Sequence, residues 1–248
     1  MTHGLPHGPA WLLAAALVVF AGVLLGFASV PLAPSPAFLP AFLTLVLAIN
    51  LLTGVLLVAQ YRDGGSARLL MLSFAHLWAA ATIVPHALVF AGVVTEDGLL
   101  GGTPSSAQWL WVSWHVGFPV LLGVALMPWP PSWHRRLEAE SGRTRRVVVG
   151  VALVLAGAWG FAALVTLGAD QVPVIIIGFD YSVLSQRYGP GLSLVVTLAV
   201  AAALLGVLRR RRAGIEVWAL VGLVAALGDL VITLVAHYRF SLGWYGAR

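Results

Sequence analysis

Seven apolar segments, separated by short polar stretches, constrain this chain more than any other feature of its sequence. A helix needs roughly 20 apolar residues to cross the hydrocarbon core of a bilayer. The segments run approximately over residues 11–29, 40–59, 69–91, 107–127, 147–167, 191–208 and 217–236. Only 9% of the 248 residues are charged, against roughly a quarter in a soluble domain. The sequence therefore predicts an all-α integral membrane protein, with seven transmembrane helices forming a single membrane-embedded domain over residues 1–248.

The arginines predict how these helices are oriented. The chain has 14 arginines and no lysine. Eleven of them lie in the second, fourth and sixth loops between segments: Arg62, Arg68, Arg135, Arg136, Arg143, Arg145, Arg146 and Arg209 to Arg212. Basic residues are enriched in cytoplasmic loops. We therefore expect the amino terminus and the even loops to be cytoplasmic, and Arg248 to lie outside.

Composition and missing motifs narrow the functional class. The chain has no cysteine, which rules out disulfides and thiolate metal sites. The basic excess is explained by membrane orientation, so we expect the lipid bilayer and not a nucleic acid as its partner. The sequence contains neither an HExxH zinc motif nor a GxSxG serine motif. We therefore expect no enzymatic activity.

A few polar side chains lie within the predicted helices, at similar depth. An ionisable side chain at mid-membrane costs about 3 kcal/mol on insertion scales. At 1.5 Å of rise per residue, His115 and Asp229 each lie about 12 Å below the outer ends of their segments. By the same measure His86 lies about 8 Å below its outer end, and Pro85 predicts a helix kink just before it. These positions predict a polar pocket in the outer half of the membrane.

Neighbouring residues extend the candidate pocket. Trp111 and His115 are four residues apart, as are Asp229, Thr233 and His237, so each set shares a helix face. The candidate pocket residues are His86, Trp111, Trp114, His115, Asp229, Thr233 and His237. A carboxylate that orients an imidazole leaves its other nitrogen for a ligand, a proton or a metal. Two simpler interpretations stay open: a structural His–Asp pair, and an interfacial aromatic belt for Trp109, Trp111 and Trp114.

Several stretches of the sequence resemble a known family. They read VPHALVF around His86, WLWVSWHVGFP over 109–119, IEVWALV from Ile215 and RFSLGWYGAR over 239–248. In this order and spacing they resemble the fourth class of bacterial membrane-associated sensor domains, from about Pro31 to the end. The resemblance implies a multi-pass sensor domain in the bacterial cytoplasmic (inner) membrane. The positions that match family motifs are His86, Trp114, His115, Gly117, Phe118, Pro119, Asp229, Arg239, Phe240, Gly243 and Tyr245; His76 does not match one.

The resemblance also implies that a signalling output domain would follow the membrane domain. Family members are commonly followed by one further helix and a cytoplasmic output such as a diguanylate cyclase or a histidine kinase. This sequence stops at Arg248 and contains no output domain. We therefore expect either a chain truncated before an eighth helix or a stand-alone relative. A stand-alone relative would act as a homodimer or with a separate signalling or redox subunit.

Three functions are compatible with these features. The first is a sensor that binds a ligand in the outer pocket. The second is a redox subunit or redox sensor, with His86 and His115 as ligands of haem or copper. The third is a small transporter or proton path through Asp229 and the histidines, although the paired repeats typical of transporters are not evident. The sequence leaves the stimulus and the cofactor open.

Overall fold

The computed structural model describes residues 8–209 and 214–248. Within them the chain forms nine α-helices. They are α1 Gly8–Leu25, α2 Phe38–Gly64, α3 Ala67–Val89, α4 Pro104–Leu126, α5 Pro131–Glu138, α6 Arg143–Leu167, α7 Gly189–Leu208, α8 Ile215–Ala236 and α9 Leu242–Gly246. A 3₁₀ turn, Ala169–Gln171, follows α6, and a π-helical turn, Leu184–Tyr188, leads directly into α7. Arg210, Arg211 and Arg212 of the sixth loop lie outside the described residues.

Seven of these helices are long and apolar enough to cross a membrane, which confirms the seven predicted segments. The largest difference at a carboxyl end is in α2, which the sequence predicted to end at residue 59. The helix continues to Gly64, because Gln60 to Asp63 are polar but compatible with helix. It ends where Gly65 adopts a left-handed conformation (φ 72°) and donates its N–H to the carbonyl of Tyr61, 2.7 Å away.

The described chain divides into two compact units. The first unit contains the chain up to Pro34, Leu122–Pro128 and Ile176–Arg248. In it α1 packs along α8, α7 packs on the same helix, and α9 contacts both α8 and α1. Leu24, Ala28, Ile232 and Ala236 form a buried cluster between these elements.

The second unit contains Ser35–Leu121 and Trp129–Ile175. In it α2 and α6 both pack against α3. Val89, Ala107, Leu110, Ala162 and Val165 form a buried cluster that joins α3, α4 and α6. Helix α3 continues through Pro85 to Val89. The apolar faces left uncovered are large: Leu153 is 68% exposed and Leu167 is 89% exposed, as expected for helices whose surroundings are lipid.

Glycines let the helices of the second unit approach closely. A Cβ atom at Gly54 of α2 would lie 2.8 Å from the side chain of Leu77. The ring of Phe74 occupies the corresponding space at Gly150 of α6. Small residues that admit a large neighbour are typical of helix contacts in membranes, where close packing replaces the hydrophobic effect between helices.

Candidate functional site

His115 on α4 is a buried polar side chain of the second unit. It is only 5% exposed. Its ring stacks on Trp111 with centroids 4.0 Å apart, and it also contacts Trp114 at 4.2 Å. Its Nδ1 lies 2.9 Å from the carbonyl oxygen of Trp111. The imidazole is therefore enclosed by two indoles that its own helix supplies.

His86 on α3 lies against the same aromatic group. It is 2% exposed, and its ring meets Trp114 edge-on at 6.1 Å and Phe90 at 5.4 Å. Its Nδ1 lies 2.9 Å from the carbonyl oxygen of Ala107 on α4. Trp114 thus packs against both histidines, and Phe42 of α2 stacks on its ring at 6.2 Å. We call His86, Trp111, Trp114 and His115 the histidine–tryptophan cluster.

The backbone contacts identify which ring nitrogen carries a hydrogen in both imidazoles. A carbonyl oxygen only accepts hydrogen bonds, so Nδ1 of each ring must carry the hydrogen. In the neutral tautomer Nε2 is then the basic nitrogen, which can accept a proton or bind a metal. Among residues 8–209 and 214–248, no group of three or more His, Asp or Glu side chains could hold a metal ion. A role of His86 and His115 as ligands of haem or copper stays a prediction.

The aromatic-belt interpretation is wrong for two of the three tryptophans. Trp111 and Trp114 are 3% and 7% exposed, so they face the protein interior and not the lipid headgroups. Trp109 is half-buried and donates its indole N–H to the carbonyl of Pro173, 3.0 Å away. The spacing along α4 placed Trp111 and His115 on one helix face, but it could not show that α3 and α2 pack against this part of α4.

The motif residues after His115 shape the contact between α4 and α3. The indole of Trp78 lies where a side chain at Gly117 would be, and it donates to the carbonyl of Ser113 at 3.1 Å. Phe118 meets the ring of His76 edge-on at 5.2 Å. Pro119 is buried within α4.

One polar pair in this unit was not predicted. His76 lies 3.0 Å, through Nδ1, from the side-chain oxygen of Asn50 on α2. His76 matches no family motif, yet it contacts the motif residue Phe118. Two polar residues within adjacent apolar segments are the signal that could have paired them.

In the first unit, the candidate residues lie on α8 and just beyond it. Thr233 is buried and donates its hydroxyl to a carboxylate oxygen of Asp229 at 3.1 Å, as the four-residue spacing predicts. His237 does not continue this face, because α8 ends at Ala236 and His237 adopts a left-handed conformation (φ 59°). Its backbone carbonyl accepts the N–H of Tyr181 at 2.9 Å.

The motif RFSLGWYGAR forms a clasp around the segment that follows α1. Leu242 and Gly243 donate their N–H groups to Val30 (2.7 Å) and Ala28 (2.9 Å), and Leu32 donates to Phe240 (2.7 Å). The hydroxyl of Tyr245 donates to the carbonyl of Ala33 at 3.0 Å. We call residues 239–248 the terminal clasp; Ser241 caps its helix α9 by accepting the N–H of Trp244.

Backbone geometry explains two of the clasp's motif residues. A Cβ atom at Gly243 would lie 2.8 to 2.9 Å from the backbone and side chain of Ala28, so only glycine permits this approach. Phe240 has a positive φ of 62°. Its ring packs against Phe179, Trp244 and Tyr245 at centroid distances of 5.3 to 6.4 Å, which holds the strained residue in place.

Charged groups of the clasp are partly removed from water. Burial lowers the pKa of Arg239 to about 10, and the positive charge of Arg248 adds to this effect. Burial also lowers the pKa of Arg248, while the negative charge of Asp229 opposes that shift. The guanidinium of Arg248 lies 4.6 Å from the ring centroid of Trp244. Asp229 on α8 therefore acts electrostatically on the end of the clasp.

Burial raises the pKa of Tyr181, which is 1% exposed. Its hydroxyl donates to the carbonyl of Tyr238 at 3.2 Å. The histidine–tryptophan cluster belongs to the second unit, whereas Asp229, Thr233 and His237 belong to the first. A common pocket formed by all of them stays a prediction.

These features define the class of protein. Seven helices are long and apolar enough to span a bilayer, and their buried polar side chains fall within the sequence motifs that resemble a sensor family. Residues 34–248 match the family described as membrane-associated sensor, integral membrane domain (MASE4), and the chain belongs to this family. The match covers the histidine–tryptophan cluster and the terminal clasp, and α1 precedes it. No curated protein and no solved structure matches the chain.

Proposed function

We propose that this integral membrane sensor domain receives its stimulus at the histidine–tryptophan cluster. Its setting would be the bacterial inner membrane, with the amino terminus in the cytoplasm, as the arginine distribution favours. The domain would pass its signal to a cytoplasmic output, either within a homodimer or through a separate signalling subunit. Membership of a sensor family supports a signalling role and not a catalytic one.

The single observation that carries the proposal is the enclosure of His115 by Trp111 and Trp114 inside a candidate membrane span. The indole N–H of Trp111 is buried and makes no hydrogen bond among the described residues. A polar ligand that accepts a hydrogen bond from the indole N–H of Trp111 would satisfy this donor. The same ligand would displace the imidazole of His115 that stacks on the indole.

Such a displacement has a direct route to the rest of the unit. Trp114 contacts His115, His86 and Phe42, which lie on α4, α3 and α2. A stimulus that moves Trp114 therefore changes the packing of three helices. A ligand shifts a conformational equilibrium by its different affinity for the two states, and the position of this shared indole would distinguish those states.

Tryptophan fluorescence of the full chain in lipid nanodiscs tests the proposal. Candidate stimuli are protons, across the range of about pH 5 to 8 where imidazole titrates, and small polar molecules. The response is measured in the natural sequence, in His115→Phe, which keeps an aromatic ring, and in His134→Phe on α5 as a matched control. We expect His115→Phe to abolish the response and His134→Phe to retain it. An unchanged response in His115→Phe would contradict the proposed site.

A second candidate is a haem- or copper-binding redox sensor. One observation favours it: both cluster histidines are held at Nδ1 by a carbonyl oxygen, which is the arrangement that directs Nε2 toward a metal. An absorption spectrum of the protein purified from its native host, before and after dithionite, tests this function. A Soret band that shifts on reduction supports haem, and a bare protein spectrum excludes haem in that preparation.

A further inference from the structure

The short helix α5, Pro131–Glu138, connects two candidate membrane spans. It begins five residues after α4 ends at Leu126, and α6 begins five residues after α5 ends at Glu138. Because the neighbouring elements on both sides cross the hydrocarbon core, these short connections hold α5 near the membrane surface. Its position is therefore constrained independently of any sensing function.

The surface of α5 combines aromatic and cationic groups. Trp133 is 56% exposed, and its ring stacks on that of Trp129 at 5.5 Å. Arg135 and Arg136 on the following turn are exposed. Tryptophan favours the headgroup level of a bilayer, and arginine there is attracted to anionic lipid by about 1 kcal/mol per residue. This combination is typical of helices that lie in the membrane interface.

Side chains from α2 and α6 hold the carboxyl end of α5 in place. The hydroxyl of Tyr61, which is fully buried, donates to the carbonyl of Leu137 at 2.7 Å. That hydroxyl accepts a hydrogen bond from Nε of Arg146 at 2.9 Å, and Arg146 also donates to the carbonyl of Ala139. Arg143 donates to the carbonyls of Glu138 (3.2 Å) and Arg62 (3.1 Å).

This attachment distinguishes two pairs among the five arginines of the fourth loop. Arg143 and Arg146 bind backbone carbonyls and join α5 to α2 and α6. Arg135 and Arg136 are exposed on α5 itself, beside the exposed Trp133. Arg135 and Arg136 are therefore placed to meet an outside partner, and their charge is complementary to phosphate.

We infer that α5 is a lipid-docking helix. Trp133 on the helix and Trp129 just before it enter the membrane interface, while Arg135 and Arg136 bind the headgroups of anionic phospholipids. The clamp formed by Tyr61, Arg143 and Arg146 then couples lipid contact at α5 to the ends of α2 and α6. The lipid composition of the leaflet thereby affects the packing of the second unit.

A single label on α5 tests this inference, because the chain has no cysteine of its own. Ser132, exposed on α5, is changed to cysteine and coupled to an environment-sensitive fluorophore in the full chain. The protein is reconstituted in vesicles of phosphatidylcholine with increasing phosphatidylglycerol. Quenching by aqueous iodide and by lipids brominated near the headgroup then reports the position of the label. Ser141→Cys, exposed three residues beyond the helix, is the matched label site.

We expect phosphatidylglycerol to protect the label at 132 from iodide and to expose it to brominated lipid, with a smaller change at 141. Arg135→Gln with Arg136→Gln should weaken the apparent affinity for phosphatidylglycerol by about 5- to 30-fold, the loss expected for one to two interfacial arginines. Arg187→Gln, at an exposed arginine of the first unit, removes one positive charge away from α5 and should leave the midpoint unchanged. High iodide access at 132 in every vesicle would overturn the inference and leave α5 for a soluble partner protein.

Discussion

Trp78 of α3 lies across Gly117 of α4, and its indole N–H donates to the carbonyl of Ser113 at 3.1 Å. The same ring approaches Gly157 of α6, where an added Cβ would lie 3.0 Å away. One indole thus joins three helices of the second unit at two glycines. The motif glycine that follows His115 is explained by this contact and needs no ligand.

We predict that Gly117→Ala destabilises the protein. The new methyl group would overlap the rigid indole of Trp78, and overpacking of this kind costs about 1–3 kcal/mol. Thermal unfolding in detergent measures the effect. Gly160→Ala on α6 is the control, since nothing lies within 4 Å of its position, and it should be neutral or slightly stabilising. Equal unfolding temperatures for the two variants would contradict the contact.

We predict that His115→Ala and His115→Phe separate packing from hydrogen bonding in the histidine–tryptophan cluster. Alanine removes the ring that stacks on Trp111 at 4.0 Å, and we expect a loss of stability of about 2 kcal/mol. Phenylalanine keeps a ring but loses the bond to the Trp111 carbonyl. Near-ultraviolet circular dichroism should therefore change strongly in the alanine variant and weakly in the phenylalanine variant. Identical spectra for both variants would argue against the stack.

The sequence predicted the seven membrane helices well because length and hydropathy decide whether a segment can cross a bilayer. It predicted their ends less well, since Gln60 to Asp63 are polar and still extend α2 to Gly64. Only the left-handed Gly65 ends that helix. Polar residues indicate where the membrane-spanning part of a helix ends, whereas backbone geometry determines where the helix itself ends.

The sequence predicted contacts within a helix better than contacts between helices; the site itself stays a prediction. Helical spacing placed Trp111 and His115 on one face, and the structure stacks them. Spacing could not show that His86 would share Trp114 with His115, because that contact depends on how α3 packs against α4. The prediction that Thr233 and His237 share a helix face is wrong, because α8 ends between them.

We predict that Gly243→Ala loosens the terminal clasp. A Cβ at this position would press on the backbone of Ala28 and separate the N–H of Gly243 from its carbonyl acceptor. Hydrogen exchange should accelerate at the amides of Leu32 and Leu242, which depend on the same pairing. Gly191→Ala in the same unit, with nothing within 4 Å, should leave these amides protected. Unchanged protection in Gly243→Ala would show that the clasp tolerates the added group.

We predict that Tyr181 makes stability fall at alkaline pH. Burial raises its pKa above the ordinary value of 10.0, so the folded protein retains a phenolic proton that the unfolded chain releases. The resulting stabilisation is fully present below pH 10 and is lost as the pH rises toward the folded pKa. Tyr181→Phe should flatten the decline in unfolding free energy above pH 10, whereas Tyr238→Phe, at a tyrosine that is 53% exposed, should not. An equal decline of the unfolding free energy in the natural sequence and both variants would contradict a raised pKa at Tyr181.

We predict that single cysteines report the orientation without further engineering, because the natural chain has none. Thr95 and Ser141 are both exposed and lie in the third and fourth loops between the candidate spans. With the amino terminus in the cytoplasm, a membrane-impermeant maleimide added to intact cells should label Thr95→Cys. Ser141→Cys should react only after the membrane is opened. The reverse pattern would place the arginine-rich loops outside, against the positive-inside rule, and would put any cytoplasmic output at the opposite face of the domain.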